Sequence, residues 1–334
     1  MIYTDRVHGR QTISEPVILD LINTSAFQRL QDISQAGYSP LYLYLLSLSG
    51  IQAATRFEHS LGVFLLLRKY RASLAEQVAG LIHDVAHTVF SHTADFLFNS
   101  GSPTAQNYHD KIQKKFVKKT KIPLILAKYH LGVNHILNEE NFPLQEKPLP
   151  DLCADRLDYS LRNTLEYQVA GQQEVDYFLN NLLVKNNAWV FKNLTSARRY
   201  GNLFLRLNTV HYAGFPTAVM FQTMADLLKR GLKKKYLQKK DLFTTEKAVI
   251  NKLKKHLAQD AQLQVLFRRI TPGQTKFHND PNKYQVRILL KSRIVDPLFQ
   301  AGQQTKRLSA VDPSWQKVVQ KEMLPKEYFL RFEE

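Results

Sequence analysis

Residues 74–98 constrain the fold more than any other part of the chain. The segment is nearly apolar and reads as one helix, so its place is the centre of a helical core. Yet it carries His83 and Asp84 side by side, inside the run Ala79-Gly80-Leu81-Ile82-His83-Asp84-Val85-Ala86-His87. A carboxylate buried beside an imidazole is costly unless it is paired or bound to a metal. His87 falls four residues after His83 and shares its helical face. A site, and not only packing, is therefore expected at the centre.

The histidines support this. Seven of the eleven lie between positions 59 and 135: His59, His83, His87, His92, His109, His130 and His135. Imidazole is the commonest metal ligand and titrates near neutral pH. Some of the seven are expected to be ordinary surface or core residues.

Helical patterns dominate the first two thirds. Glu15-Pro16 opens a helix, and residues 25–35, 59–69, 107–120, 123–130, 149–164 and 203–237 read as helical. Residues 172–200 are mixed, with a short strand at 189–191. After Asp241 the character changes: helices at 245–257 and 263–269 precede an alternating strand at 283–291. We expect a mainly α domain over 1–240 and a small α+β region over 241–334.

Composition excludes several classes. A chain of 334 residues with 44% hydrophobic residues is globular, not disordered. The longest mainly apolar stretch, 41–48, is far short of the run of about 18 that spans a bilayer. No apolar leader follows Met1, and the single cysteine, Cys153, suits a reducing compartment, so a cytoplasmic location without membrane contact is expected. Lys and Arg outnumber Asp and Glu 46 to 29, a net charge of +17 that favours polyanionic partners.

Three ordered motifs select among those partners. They are Arg56-Phe57-Glu58-His59-Ser60-Leu61-Gly62-Val63, then Gly80 to His92, then Asp155-Arg156-Leu157-Asp158-Tyr159. With Asp5-Arg6-Val7-His8-Gly9 and Phe27-Gln28-Arg29-Leu30, they resemble the HD-domain phosphohydrolases, nearest to the deoxynucleoside triphosphate triphosphohydrolases. The resemblance covers about residues 1–165 well and 200–235 loosely. It implies a helical HD core, a nucleotide substrate and a homo-oligomer.

The resemblance also implies roles. His59, His83, Asp84 and Asp155 would hold one divalent ion, a donor set suited to Mn, Fe, Ni, Zn or Mg. His109 would be the general acid with Asp110 beside it, and His87 and His92 would line the phosphate pocket. Arg56 and Arg156 would bind phosphate. Gln35, Tyr159, Asn163 and Tyr212 would meet sugar and base. Tyr159 also fits a simple core position.

The pattern departs at three places. Asn163 stands where relatives have an aspartate, and Ala36 replaces a leucine that helps exclude a ribose 2′-hydroxyl. Residues 37–54 form a longer, Tyr- and Leu-rich stretch that reads as a lid or as another core element. Two other functions stay open. A second ion, held by His109 with His130 or His135, would make a two-metal phosphodiesterase or a nucleotide phosphomonoesterase. The lysine-rich runs 111–121 and 229–240 would make a nucleic-acid-binding protein. Lys283–Lys291 with Arg293 reads as a charged sheet edge, ahead of a second anion site.

Overall fold

The computed structural model describes residues 1–37, 53–98, 102–271 and 273–333. The architecture is a helical core with three small sheets, two of them formed in whole or part by the chain after 275.

The core is organised around the helix Arg56–Lys69. Thr55 and Glu58 close a capping box at its start, so its first N–H groups have acceptors. Ten of its residues are buried, among them Arg56 and His59. It packs against Leu74–Ile82 and Ala154–Glu166. His59 is thereby enclosed by two other elements: His83 and Asp84 follow the end of the first, and Asp155 opens the second.

The 74–98 segment is not one helix. Leu74–Ile82 stops at Ile82, and the chain turns through His83–Val89 before a 3-10 turn, Ser91–Thr93, and a last turn, Ala94–Leu97. Phe90 (φ +57) and Ser91 (φ +47) are left-handed, which a continuing helix forbids. Distant groups satisfy the broken backbone. Arg29 donates to the carbonyls of Val85 and His87, both at 2.7 Å. Gln113 donates to the His83 carbonyl at 2.8 Å, Val89 N donates to the Leu242 carbonyl at 2.9 Å, and Phe90 N donates to Glu246 Oε1 at 3.0 Å. None of these partners is local in sequence, so the apolar pattern alone reads through the break.

Three further expectations change in the same way. Residues 25–35 form the helix Ser25–Gln28 and a 3-10 turn, Arg29–Asp32, before Ile33 extends and Ser34 bridges to Thr55. The 149–164 helix opens only at Ala154, because Cys153 is extended. The 203–237 stretch is Leu194–Leu207, a π-helical turn Asn208–Tyr212, and Phe215–Lys233. Helices Pro16–Ile22, Tyr108–Val117, Ile122–Lys128 and Ala261–Arg269 and strands Ala188–Phe191 and Val286–Leu290 agree with the sequence patterns.

The C-terminal chain is woven into the earlier part. Strand Leu298–Ala301 runs parallel to Ala188–Phe191, in one sheet with Leu182–Lys185 and Gln304–Arg307. Trp315 packs on Gly201, where a Cβ would lie 2.8 Å from its ring. Lys326–Glu333 is the central strand between Lys276–Asn279 and Val286–Leu290. The chain leaving Val286–Leu290 then passes the central cavity.

Candidate active site

One cavity of about 690 Å³ is lined by all fourteen residues singled out from the sequence: Gln35, Arg56, His59, His83, Asp84, His87, His92, His109, Asp110, Asp155, Arg156, Tyr159, Asn163 and Tyr212. Its size suits a nucleotide-sized ligand.

His59, His83, Asp84 and Asp155 converge at its floor. His59 Nε2 lies 2.8 Å from Asp155 Oδ1 and 3.6 Å from Asp84 Oδ2. His83 Nε2 lies 3.5 Å from Asp84 Oδ1 and 3.5 Å from Asp155 Oδ1. Metal–ligand bonds of about 2.1 Å put adjacent donors about 3 Å apart, which matches this spacing. The hydrogen bonds set the tautomers. His59 Nδ1 faces Asp158 Oδ2 at 2.7 Å, and His83 Nδ1 faces the Gly80 carbonyl at 2.7 Å. Both Nε2 atoms face carboxylates: His59 Nε2 is within hydrogen-bond distance of Asp155 Oδ1, while buried His83 Nε2 has no hydrogen-bond partner. Imidazole nitrogens this close to carboxylates need a positive charge between them, carried by a proton or by a cation. Burial would lower the His83 imidazole, yet Asp84 and then Asp155 raise it to about 10. The donor set fits a divalent cation.

A second group stands beside the first. His87 and His109 stack at 3.8 Å between ring centroids, and His92 meets both rings edge-on. One nitrogen from each of the three falls within 4.8 Å of the others. His87 Nε2, His92 Nδ1 and His109 Nδ1 are buried without hydrogen bonds. Burial, then Arg56, hold His87 and His92 well below the usual imidazole range. His109 Nε2 pairs with Asp110 Oδ1 at 2.9 Å.

The two arginines expected at phosphate are held by the protein. Arg56 donates to Asp84 Oδ2 at 2.6 Å, to Ser91 Oγ at 2.9 Å and to the Gln35 carbonyl at 2.8 Å. It fixes a proposed metal ligand in place. Arg156 donates to the carbonyls of Asp151 and Lys147, to Cys153 Sγ and to Glu146 Oε1.

Residues 56–163 match the HD domain family model. The chain is 31% identical to the Bacillus subtilis protein YdhJ over 301 residues, 88% of this chain and 87% of that one. This chain belongs to the HD-domain phosphohydrolase family. It is 36% identical over 195 residues to the metal-dependent phosphohydrolase cns2 of Cordyceps militaris, 58% of this chain and about half (52%) of that protein. The fold matches a phosphohydrolase structure from Bacteroides thetaiotaomicron with TM-score 0.73 over 100% of both chains, at 17% identity.

In this HD protein the far wall of the cavity is aromatic. Tyr159 meets Tyr212 edge-on at 5.5 Å and leans toward His59 at 6.5 Å. The Tyr212 hydroxyl donates to Asn163 Oδ1 at 3.2 Å, while Asn163 Nδ2 donates to Glu166. The π-helical turn thus brings Tyr212 to the residue that replaces the family aspartate. Gln35 leaves its buried Oε1 without a partner beside Ala36.

Sequence reasoning missed the support of the HD histidine. Arg162 is fully buried and donates to Asp158 and, at 3.0 Å, to Asp5. Burial would raise the Asp158 carboxyl, but Arg162 and His59 hold it at about 2. The spacing Asp155, Asp158, Arg162 along one helical face was the available signal. Lys291 and Arg293 were also assigned elsewhere: Val286–Leu290 is indeed an edge strand, but the two cations past its end line the cavity.

His130 and His135 do not line it. His135 Nδ1 meets Asn141, and His130 sits on an exposed left-handed turn, so neither joins His109 around an ion. The two lysine runs are mostly exposed helix and turn surface. The proposed lid at 37–54 falls mainly outside the described residues. Among the described residues no helix is long and apolar enough to cross a membrane.

Proposed function

We propose that this HD phosphohydrolase cleaves (deoxy)nucleoside triphosphates at the α-phosphorus, releasing nucleoside and triphosphate. One observation carries the reading: a two-histidine, two-aspartate cluster opens onto one cavity walled by histidines on one side and tyrosines on the other.

His59, His83, Asp84 and Asp155 would hold the divalent ion. Such an ion supplies Lewis-acid polarisation of the phosphoryl group and a more acidic water. Asp158 and the Gly80 carbonyl keep the two ligating imidazoles in the Nδ1–H form. Arg56 holds Asp84 against the repulsion of Asp155. His109, backed by Asp110, is suited to act as general acid toward the leaving O5′. The water oxygen joins phosphorus, the P–O5′ bond breaks, and O5′ takes the proton. Tyr159, Tyr212, Asn163 and Gln35 are suited to sugar and base. The methyl of Ala36 leaves room for a 2′-hydroxyl.

A second reading has its own observation. The His87–His92–His109 nitrogens, unbonded and within 4.8 Å, would suit a second ion and hence diester or monoester cleavage. Chromatography of products from dNTPs, NTPs, monophosphates and cyclic dinucleotides with Mn²⁺, plus metal counting, separates the two. Triphosphate release with one tightly bound ion is expected. Exclusive monoester or diester turnover with two ions overturns it.

A further inference from the structure

Two cations of the cavity wall come from outside the matched HD segment, and no mechanism step above uses them. Lys291 Nζ donates to the Ala105 carbonyl at 2.7 Å. The Arg293 backbone N donates to Asn208 Oδ1 at 2.8 Å, and its guanidinium meets Gln106 Oε1. Ser292, between them, turns the other way into buried hydrogen bonds with Asn208 and Glu322. That alternation sends residues 291 and 293 to the same side, toward the cavity.

Every hydrogen bond to these two side chains comes from a neutral oxygen, and among the described residues neither forms an ion pair. Three other arginines near the site each have a carboxylate: Arg56 has Asp84, Arg156 has Glu146, and Arg162 has Asp158 and Asp5. Adjacent half-buried cations with no carboxylate in contact are unfavourable, and a ligand anion relieves the penalty. Lys291 and Arg293 both lie within electrostatic range of His92 and Arg156, and Arg293 also lies within range of Tyr159 and Tyr212. An ammonium as a point charge beside a guanidinium fork suits phosphate oxygens.

We propose that Lys291 and Arg293 seat the distal phosphates of a polyphosphate chain, so that the C-terminal segment makes the active site prefer triphosphates to monophosphates. The assignment rests on the reading of this cavity as a nucleotide phosphohydrolase site. It gives the region after 241 a direct part in substrate choice.

The test is calorimetric binding of inorganic tripolyphosphate and orthophosphate to the metal-loaded protein, for wild type, K291Q, R293Q and the double variant. The double variant is expected to lose at least about tenfold in tripolyphosphate affinity, with orthophosphate affinity and metal content kept; tenfold is about 1.4 kcal/mol. R293K, which keeps charge but loses the fork, is expected to fall between. Should the glutamine variants misfold, wild-type protein decides: tripolyphosphate, but not orthophosphate, is expected to shield Lys291 from acetylation. Wild-type tripolyphosphate affinity in a folded double variant, or equal acetylation with either anion, overturns the proposal. The two readings fail separately. Nucleoside triphosphate turnover with unchanged KM in the variants removes the seat alone. Tripolyphosphate binding that needs both residues, without nucleotide turnover, removes the nucleotide reading alone.

Discussion

His59 Nδ1 lies 2.7 Å from Asp158 Oδ2, and that contact directs the opposite nitrogen of His59 at the acidic cluster. Asp158 is itself held as an anion by Arg162, which also reaches Asp5 on the first strand. A carboxylate behind a ligating imidazole fixes its tautomer and raises its basicity. D158N keeps the shape and removes the charge. It is expected to weaken divalent-metal affinity by about 10–100-fold, read by Mn²⁺ titration alongside a circular dichroism check of the fold.

Gly62 shows why the first motif needs a glycine. A Cβ there would lie 2.0 Å from Asp158 Oδ1 and 2.1 Å from Arg162 Nη2. Gly62→Ala must push the buried ion pair apart. We expect a loss of about 3–5 kcal/mol in chemical denaturation, as for a broken buried pair. A loss below about 1 kcal/mol would mean that the network relaxes freely.

These relationships mark what sequence patterns carry. The cluster of His59, His83, Asp84 and Asp155 was legible because its residues sit in short motifs whose spacing survives folding. The order of helices was legible from apolar period. The break after Ile82 was not, since its backbone groups are satisfied by Arg29, Gln113, Leu242 and Glu246, far away in the chain. The anchoring of Arg56 and Arg156 was hidden for the same reason: charge is written in sequence, but partners are set by packing. Lys291 and Arg293 follow an ordinary edge strand, and only the path of the chain past Asn208 turns them inward.

Glu246 clamps that break. Its Oε1 accepts from Ser34 N and Phe90 N, each at 3.0 Å. E246A leaves both donors without it, at about 1–3 kcal/mol each. Burial pushes the Glu246 carboxyl up to about 7 in spite of those donors. The folded state then holds the proton more tightly than the unfolded chain, whose glutamate titrates near 4.5. Its contribution is full below about 4.5 and is lost as pH rises toward 7. The wild-type minus E246Q stability difference, from denaturation at several pH values, should fall across that window. A difference flat in pH would contradict this.

Lys291 gives an activity signature. Burial, then Arg293 and Arg156, push its ammonium down to about 8, against the weaker opposing pull of Asp110 and Glu146. As pH rises past 8 the free protein loses this charge, so KM for a triphosphate should climb while K291R stays flatter. The check is a KM profile from pH 7 to 9.5 for both proteins. Parallel profiles would remove Lys291 from the effect.

The central claim is attack at the α-phosphorus by the His59–His83–Asp84–Asp155 centre. Hydrolysis of a dNTP in ¹⁸O-labelled water, followed by mass spectrometry of the products, tests it most directly. We predict unlabelled nucleoside and tripolyphosphate carrying one ¹⁸O, with both abolished in H83A. Label in orthophosphate or pyrophosphate, or in the nucleoside hydroxyl, would contradict it.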